Sequence, residues 1–310
     1  MTQTIALITT TSGQDSYYLS KLLSEKKYFV IGLNSNNSLG DLSYFDKVLP
    51  FTFVDTKNVI ESLEKYNVTE VFNLAAQSSV LRSWNETELT FEVNYFALKR
   101  LLENMKKNSL LKQVKFFQAG TTDMFGKKFV SLEYKNLKPW SPYGESKLAA
   151  YLFINEMRNQ GLHCFSGVLT NHDSPKRKSS FVIPKLAKQI SEVVLGNIKK
   201  LELENWSVAR DWAHAEDVVL AIYKSMRLDH PTDTLIATGK TNSLKEIAQK
   251  TLNELNVNAS FITETKVTRA RDLITVEVDA RRHQKILDWN PNFTNHKTLL
   301  SLVHANLKIS

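Results

Sequence analysis

Apolar and polar residues alternate along this chain at two different periods, and the succession of those periods is its organising pattern. Residues 4–9 form a short apolar run of buried-strand type, followed by a turn at Ser12-Gly13 and a helical segment over about 15–26. Residues 28–33 repeat the strand signature and end in the polar stretch 34–38. A third short strand is predicted near 49–54, a helix near 59–66 and a fourth strand at 70–75. Helical periodicity then runs over 88–107, a fifth strand over 113–118, a helix from Tyr143 to about 160, and a sixth strand over 163–169. Strand and helix in strict succession predict an α/β fold, a doubly wound parallel sheet with helices on both faces.

The rhythm loosens after Thr170. Asn171-His-Asp-Ser-Pro175 and the basic, serine-rich residues to Ser180 read as a loop, and a helix at 182–196 precedes short strand-like pieces mixed with helices. The expected division is a dinucleotide-binding domain over 1–170, with segments near 205–230 returning to it, and a smaller substrate-binding lobe made mainly of 171–310.

Composition narrows the class without naming it. Hydrophobic content of 42% and charged content of 23% are those of an ordinary globular protein. No apolar run reaches membrane-spanning length and no signal peptide is recognised, so a cytoplasmic location without a membrane partner is expected. One cysteine, Cys164, permits no internal disulfide and no metal-ligand spacing; it reads as a buried strand residue. The net charge of +8 is dispersed except at Lys176-Arg-Lys178 and Arg281-Arg282. That is a solvated lysine-rich surface rather than a nucleic-acid footprint, with a few arginines left to face an anionic small molecule.

The chemistry concentrates between Thr121 and Lys147. Tyr143 and Lys147 are four residues apart at the start of a helix and so share a face. An ammonium held beside a phenol favours the phenolate and brings its proton exchange toward neutral pH. Upstream, Thr121-Thr122-Asp123 offers a hydroxyl to hold a substrate oxygen and a carboxylate to serve as a second acid or base. Such a group suits oxidation of an alcohol carbon followed by work on its neighbour.

These residues resemble the GDP-mannose 4,6-dehydratase group of the extended short-chain dehydrogenase/reductases. Ala6-Leu-Ile-Thr9 with Gly13-Gln14-Asp15 is similar to that group's first strand and turn, and Asn73-Leu74-Ala75-Ala76-Gln-Ser78 to the end of its fourth strand. Gln118-Ala-Gly-Thr-Thr-Asp-Met-Phe-Gly126 and Ser141-Pro-Tyr-Gly-Glu-Ser-Lys147 are similar to its catalytic blocks. Asn171–Pro175, Arg210-Asp-Trp-Ala-His-Ala215 and Leu287-Asp-Trp-Asn-Pro291 resemble its substrate-lobe motifs. The resemblance implies a Rossmann-like fold and a reaction on a nucleotide-diphosphate sugar: oxidation at C4, elimination of water across C5–C6 and return of hydride to C6. It implies Tyr143 as the C4 base assisted by Lys147, Thr121 on the sugar hydroxyl, and Asp123 where the family's glutamate takes the C5 proton. NADP or NAD is the implied cofactor, held by Gly13, Gln14, Asp15, Asn34, Asp55, Leu74, Ala75, Ala76, Tyr143 and Lys147. Asn171, Lys185, Arg210 and Arg269 are the implied substrate contacts, and a homodimer or homotetramer the implied assembly.

The departures cluster in the cofactor half. The family's turn has three glycines; here Thr10 and Ser16 replace the first and third. After the second strand stand Asn34-Ser-Asn-Asn37, without the arginines that pair with a 2′-phosphate and without an acidic residue that marks NAD. An aspartate usual at the end of the third strand aligns with Thr52, with Asp55 nearby as a displaced substitute. Asp123 is one methylene shorter than glutamate. These departures leave a 4-dehydrogenase, a 4-keto-sugar reductase or an epimerase as alternatives, and beyond them a catalytically inactive nucleotide-sugar-binding homologue. Trp206 falls near the expected base pocket, and His172 and His214 read as structural.

Overall fold

The computed structural model describes residues 3–34, 40–52, 56–126, 129–132, 137–263 and 275–309. From the N-terminus come β1 (Ile5–Ile8), α1 (Gln14–Glu25), β2 (Phe29–Asn34), β3 (Lys47–Pro50), α2 (Lys57–Lys65) and β4 (Glu70–Asn73). Next are α3 (Val80–Asn85), α4 (Thr87–Phe91), a π-helical turn (Glu92–Phe96), α5 (Ala97–Lys107) and β5 (Lys115–Thr121). A 3-10 turn (Thr122–Met124), β6 (Phe129–Val130), α6 (Pro142–Asn159) and β7 (Cys164–Leu169) follow. The rest holds β8 (His172–Asp173), α7 (Val182–Val194), β9 (Lys200–Leu203), β10 (Ala209–Asp211), β11 (Ala213–His214), α8 (Ala215–Ser225) and β12 (Asp233–Ile236). It ends with β13 (Thr241–Ser243), α9 (Leu244–Glu254), β14 (Ser260–Thr263), β15 (Glu277–Val278), α10 (Arg281–Ile286) and α11 (Asn295–Ile309).

The chain divides into two compact units. The first, residues 1–126, 132–169 and 219–235, carries the seven-stranded sheet in the order β12-β7-β5-β4-β1-β2-β3. β1 lies between β4 and β2, parallel to both, so the strand order reverses there. In open α/β sheets a ligand crevice forms outside the carboxyl ends of the strands at such a reversal. The expected parallel α/β sheet is thus the one observed. Its central strands are apolar on both faces, as a sheet covered on both sides requires. On one side Leu7, Ile31, Val71 and Phe116 pack with Leu98, Leu102, Ile154 and Met157 of α5 and α6. β3 is the edge strand and ends in Pro50, which an edge tolerates.

Two elements differ from the sequence expectation. β5 continues to Thr121 rather than stopping at 118, because pairing with β7 extends to Thr121↔Leu169. The segment 88–107 is not one helix: the π-helical turn interrupts it, and helical periodicity is blind to one inserted residue per turn.

In the second unit, residues 127–131, 170–218 and 236–310, the described residues form no large sheet. It is built from two-stranded pairings, β9 with β14 and β8 with β11 in parallel and β10 with β13 antiparallel. Its core gathers α7, α9 and α11 around Leu186, Ile190, Ile247, Leu252 and Leu299.

Candidate active site

In the first unit the catalytic candidates sit where β5 ends and α6 begins. Ser141 caps α6, its Oγ accepting the Gly144 N–H at 3.1 Å, and Pro142 occupies the first turn, where a missing N–H costs nothing. This fixes the helix start so that Tyr143 and Lys147 fall on one face one turn apart. Thr121 caps the 3-10 turn at the end of β5, its Oγ1 accepting the Asp123 N–H at 3.2 Å. That arrangement leaves the Thr121 O–H to donate outward.

Gly144 joins the two elements. A Cβ added there would lie 2.7 Å from the Asp123 carbonyl oxygen and 2.9 Å from Pro139 Cβ. Only glycine lets the first turn of α6 come this close to the Asp123 backbone. Tyr143, Thr121 and Lys147 are buried, while Asp123 is half-buried.

Lys147 Nζ donates to the Ala119 carbonyl at 3.1 Å. That carbonyl ends a relay across the strand ends. The N–H groups of Leu74 and Ala75 donate to Thr9 Oγ1, Thr9 donates to Asn73 Oδ1, Asn73 Nδ2 to Gln118 Oε1, and Gln118 Nε2 to the Ala119 carbonyl. Burial lowers the Lys147 pKa from its ordinary value to about 8, with Asp15 acting in the opposite direction. An ammonium with three donors and one tether keeps two N–H groups for other partners.

Asn94, in the π-helical turn, was not singled out from the sequence. Its amide donates to the Gln77 carbonyl and to Ser146 Oγ, and its Oδ1 accepts the Gln77 N–H. Ser146 in turn donates to the Tyr143 carbonyl at 2.8 Å. Asn94 therefore ties the exit of β4 to the Tyr143–Lys147 turn, and no local pattern announces it.

The dinucleotide turn keeps Gly13 in a conformation with φ 96°, which favours glycine, and α1 starts there without a side-chain cap. Its first N–H groups and positive dipole end fit a pyrophosphate. Thr10, by contrast, does not adopt positive φ, so its β-branch costs no backbone strain. Ser16 Oγ donates to the Thr10 carbonyl at 2.5 Å, and Thr10 Oγ1 accepts the Ser12 N–H. Hydroxyl bonds thus brace the turn where the family has glycines. Gln14 is buried in the first turn of α1, with Asp15 beside it, and Asn34 closes β2 half-buried. Leu74, Ala75 and Ala76 follow β4. The N–H groups of the first two are already used by Thr9 and offer no donor to a ligand.

In the second unit Arg210 lies on β10, one of its guanidinium nitrogens donating to the Ala209 carbonyl. Beside it, buried Asp211 accepts from the backbone of Thr238, Gly239 and Lys240, although burial raises its pKa to about 6. Asn171 is exposed and its carbonyl accepts the Ala213 N–H; Lys185 is exposed in the first turn of α7. His214 stacks on Phe293 at 4.1 Å, and burial, aided by His172, lowers its pKa to about 4, consistent with a structural role. Trp206 is core, donating to the Ile262 carbonyl and packing edge-on against Phe261. Cys164 is buried with its thiol pushed up to about 12. Asp55 and Arg269 lie outside the described residues. Among the described residues no cluster of metal-ligating side chains occurs, and no helix is long and apolar enough to cross a membrane.

Comparison with known proteins points the same way along the whole chain. The profile of the GDP-mannose 4,6 dehydratase family matches residues 7–300. The human GDP-mannose 4,6 dehydratase is 30% identical, the alignment covering 98% of this chain and 92% of that protein. The Yersinia enterocolitica GDP-mannose 4,6-dehydratase is 34% identical over 83% of this chain and 73% of its own length. Among solved structures, MoeE5 in complex with UDP-glucuronic acid and NAD superposes with a TM-score of 0.83 at 21% identity, covering 98% of this chain and 99% of that one.

Proposed function

The chain belongs to the GDP-mannose 4,6 dehydratase family, and from that premise we propose that it is a nucleotide-sugar 4,6-dehydratase acting on a hexose carried by a nucleoside diphosphate. The reaction is oxidation at C4, loss of water across C5–C6 and reduction at C6. The observation that carries this reading is the close packing of the Thr121–Asp123 turn against the start of α6 through Gly144. It sets a hydroxyl, a carboxylate, a phenol and a desolvated ammonium on adjoining elements.

In this reading the Thr121 O–H holds the C4 oxygen while Tyr143 accepts its proton, with the Lys147 ammonium stabilising the phenolate. A C4 ketone acidifies the neighbouring C–H, so the half-buried Asp123 carboxylate suffices to take the C5 proton. When bound, a nicotinamide dinucleotide, NAD or NADP, supplies the hydride acceptor and donor. The turn at Gly13, with Gln14, Asp15 and Asn34, and the Leu74–Ala76 segment would hold it, and Lys147 would offer its spare N–H groups. Arg210, Asn171 and Lys185 are the candidate diphosphate and sugar contacts of the second unit. Guanidinium suits bidentate phosphate recognition.

We place the protein in the cytoplasm as a homodimer or homotetramer. Leu89, Phe96 and Leu152, on α4, the π-helical turn and α6, are large apolar side chains 43%, 43% and 54% exposed on neighbouring elements.

Two substitutions test the chemistry. Tyr143→Phe abolishes turnover while leaving the fold intact; undiminished product formation in that variant would refute the mechanism. Asp123→Asn blocks elimination yet still allows nicotinamide reduction on addition of GDP-mannose, read from the absorbance of the reduced nicotinamide; normal product formation in that variant would remove Asp123 as the C5 base. The shorter carboxylate favours one competing reading, a 4-dehydrogenase that stops at the ketone. Accumulation of a 4-keto sugar retaining its C6 hydroxyl in the unaltered protein would decide for it.

A further inference from the structure

We propose that this chain selects the dinucleotide without a 2′-phosphate, NAD over NADP, and that the segment Gly40–Asp46 sets the choice. The inference rests on the reading that the first unit holds a nicotinamide dinucleotide, and it goes beyond the sequence, which leaves the end of β2 without either marker residue.

The segment lies across the dinucleotide turn. A Cβ on Gly40 would stand 1.7 Å from the Thr11 carbonyl oxygen and 3.0 Å from Ser12 Cα, so the Gly40 backbone rests directly on the turn. Tyr44 packs edge-on against Tyr17 in α1, ring centroids 5.6 Å apart. Phe45 covers Gly32 in β2, leaving 2.7 Å to an added Cβ. Asp46 then bonds Val30 twice, its carboxylate accepting the Val30 N–H at 2.7 Å and its own N–H donating to the Val30 carbonyl. Four anchors on α1, β2 and the turn therefore hold the strap in place.

A dinucleotide with its pyrophosphate at the start of α1 directs its adenosine ribose toward the carboxyl end of β2. The strap is anchored on both sides of that path, on the turn at Thr11 and Ser12 and on β2 at Val30 and Gly32. Asp41 directly follows the Gly40 contact with Thr11, and in this proposal it takes the part of the acidic residue that recognises a ribose 2′-hydroxyl. The Asp41 carboxylate is oriented by the N–H and Oγ of Ser43.

Charge gives the same direction. Residues 1–20 and 28–46 contain no lysine or arginine, whereas Asp15, Asp41 and Asp46 are acidic. A 2′-phosphate entering here would lose its hydration, meet no guanidinium or ammonium from these segments, and face a carboxylate. A 2′-hydroxyl meets an acceptor.

The test is equilibrium binding to the full-length protein stripped of retained nucleotide, titrated with NADH and NADPH at one ionic strength and followed by nicotinamide fluorescence. NADH is expected to bind at least tenfold more tightly. Asp41→Asn, which keeps side-chain shape, is expected to reduce that ratio at least threefold, and Asp41→Lys to bring it to one or below. Circular dichroism and melting temperature confirm that both variants are folded. Equal or tighter binding of NADPH by the unaltered protein overturns the proposal and leaves the dehydratase reading standing. A ratio unmoved in both variants removes the strap as its cause. Failure of both dinucleotides to bind overturns the proposal together with the reading it rests on.

Discussion

Lys147 is the residue at which structure and reaction are most tightly coupled. Its ammonium is buried against the Ala119 carbonyl, and desolvation lowers its pKa to about 8. A lysine whose folded pKa is depressed favours the fold in its neutral form, which is fully present above about pH 10.5 and is lost as pH falls through 8. At about 1.4 kcal/mol per pH unit, holding the ammonium at pH 7 costs the fold roughly 3 kcal/mol. The proposed reaction needs the charged form, because the neutral amine no longer stabilises a Tyr143 phenolate. The expected consequence is a fall in kcat/KM above about pH 8. Asp15→Asn removes the carboxylate that supports the ammonium and is expected to move that limb to lower pH. A pH–rate profile of both proteins checks this; an alkaline limb that stays put in the variant would separate Asp15 from Lys147. At this scale the sequence was informative where side chains carry a chemical signature, as at Tyr143, Lys147, Thr121 and Asp123. It could not reveal that Thr10 and Ser16 bond to each other around Gly13, because hydroxyls in a turn look like erosion until their partners are known.

Among the elements, α6 decides the geometry of the site. The glycine that lets it approach the Asp123 turn is Gly144, so Gly144→Ala forces backbone apart at a contact of 2.7 Å. Displacements of about 1 Å between reacting groups cost on the order of a hundredfold in rate. The variant is therefore expected to lose at least tenfold in kcat while its melting temperature falls by only a few degrees. Retained kcat would mean that the spacing of Asp123 and Tyr143 does not matter to the reaction. The helix itself was legible from its Ser141-Pro142 start and its apolar period. The π-helical turn opposite it was not, since Glu92–Phe96 keeps helical composition while shifting the register of Asn94 toward Gln77 and Ser146. The strand alternation of the first half was legible for a related reason: buried parallel strands write themselves as continuous apolar runs. The short pairings of the second unit leave no such trace, because two or three residues make no period.

For the molecule as a whole, long-range ties set stability. Arg227 donates to the Tyr28 hydroxyl at 2.5 Å and to the Glu70 carboxylate, joining the segment after α8 to the amino ends of β2 and β4. Burial, and after it Glu70, raises the Tyr28 pKa to about 12. Arg227→Met leaves Glu70, whose side chain is 8% exposed, without its cation. Because the arginine is itself 31% exposed, a loss of about 2 kcal/mol is expected rather than the larger cost of a fully buried pair. Chemical denaturation measures it, and an unchanged midpoint would show the tie to be idle. The same connectivity bears on synthesis. The sheet of the first unit has six of its strands by Leu169, yet its seventh, β12, waits until Ile236, after the chain has made residues 170–218 of the second unit. A nascent chain thus holds an open edge on β7 while it makes α7 through α8, a template on which another strand could pair. The interval between residues 170 and 236 is therefore the stretch of synthesis over which that edge stays unpaired.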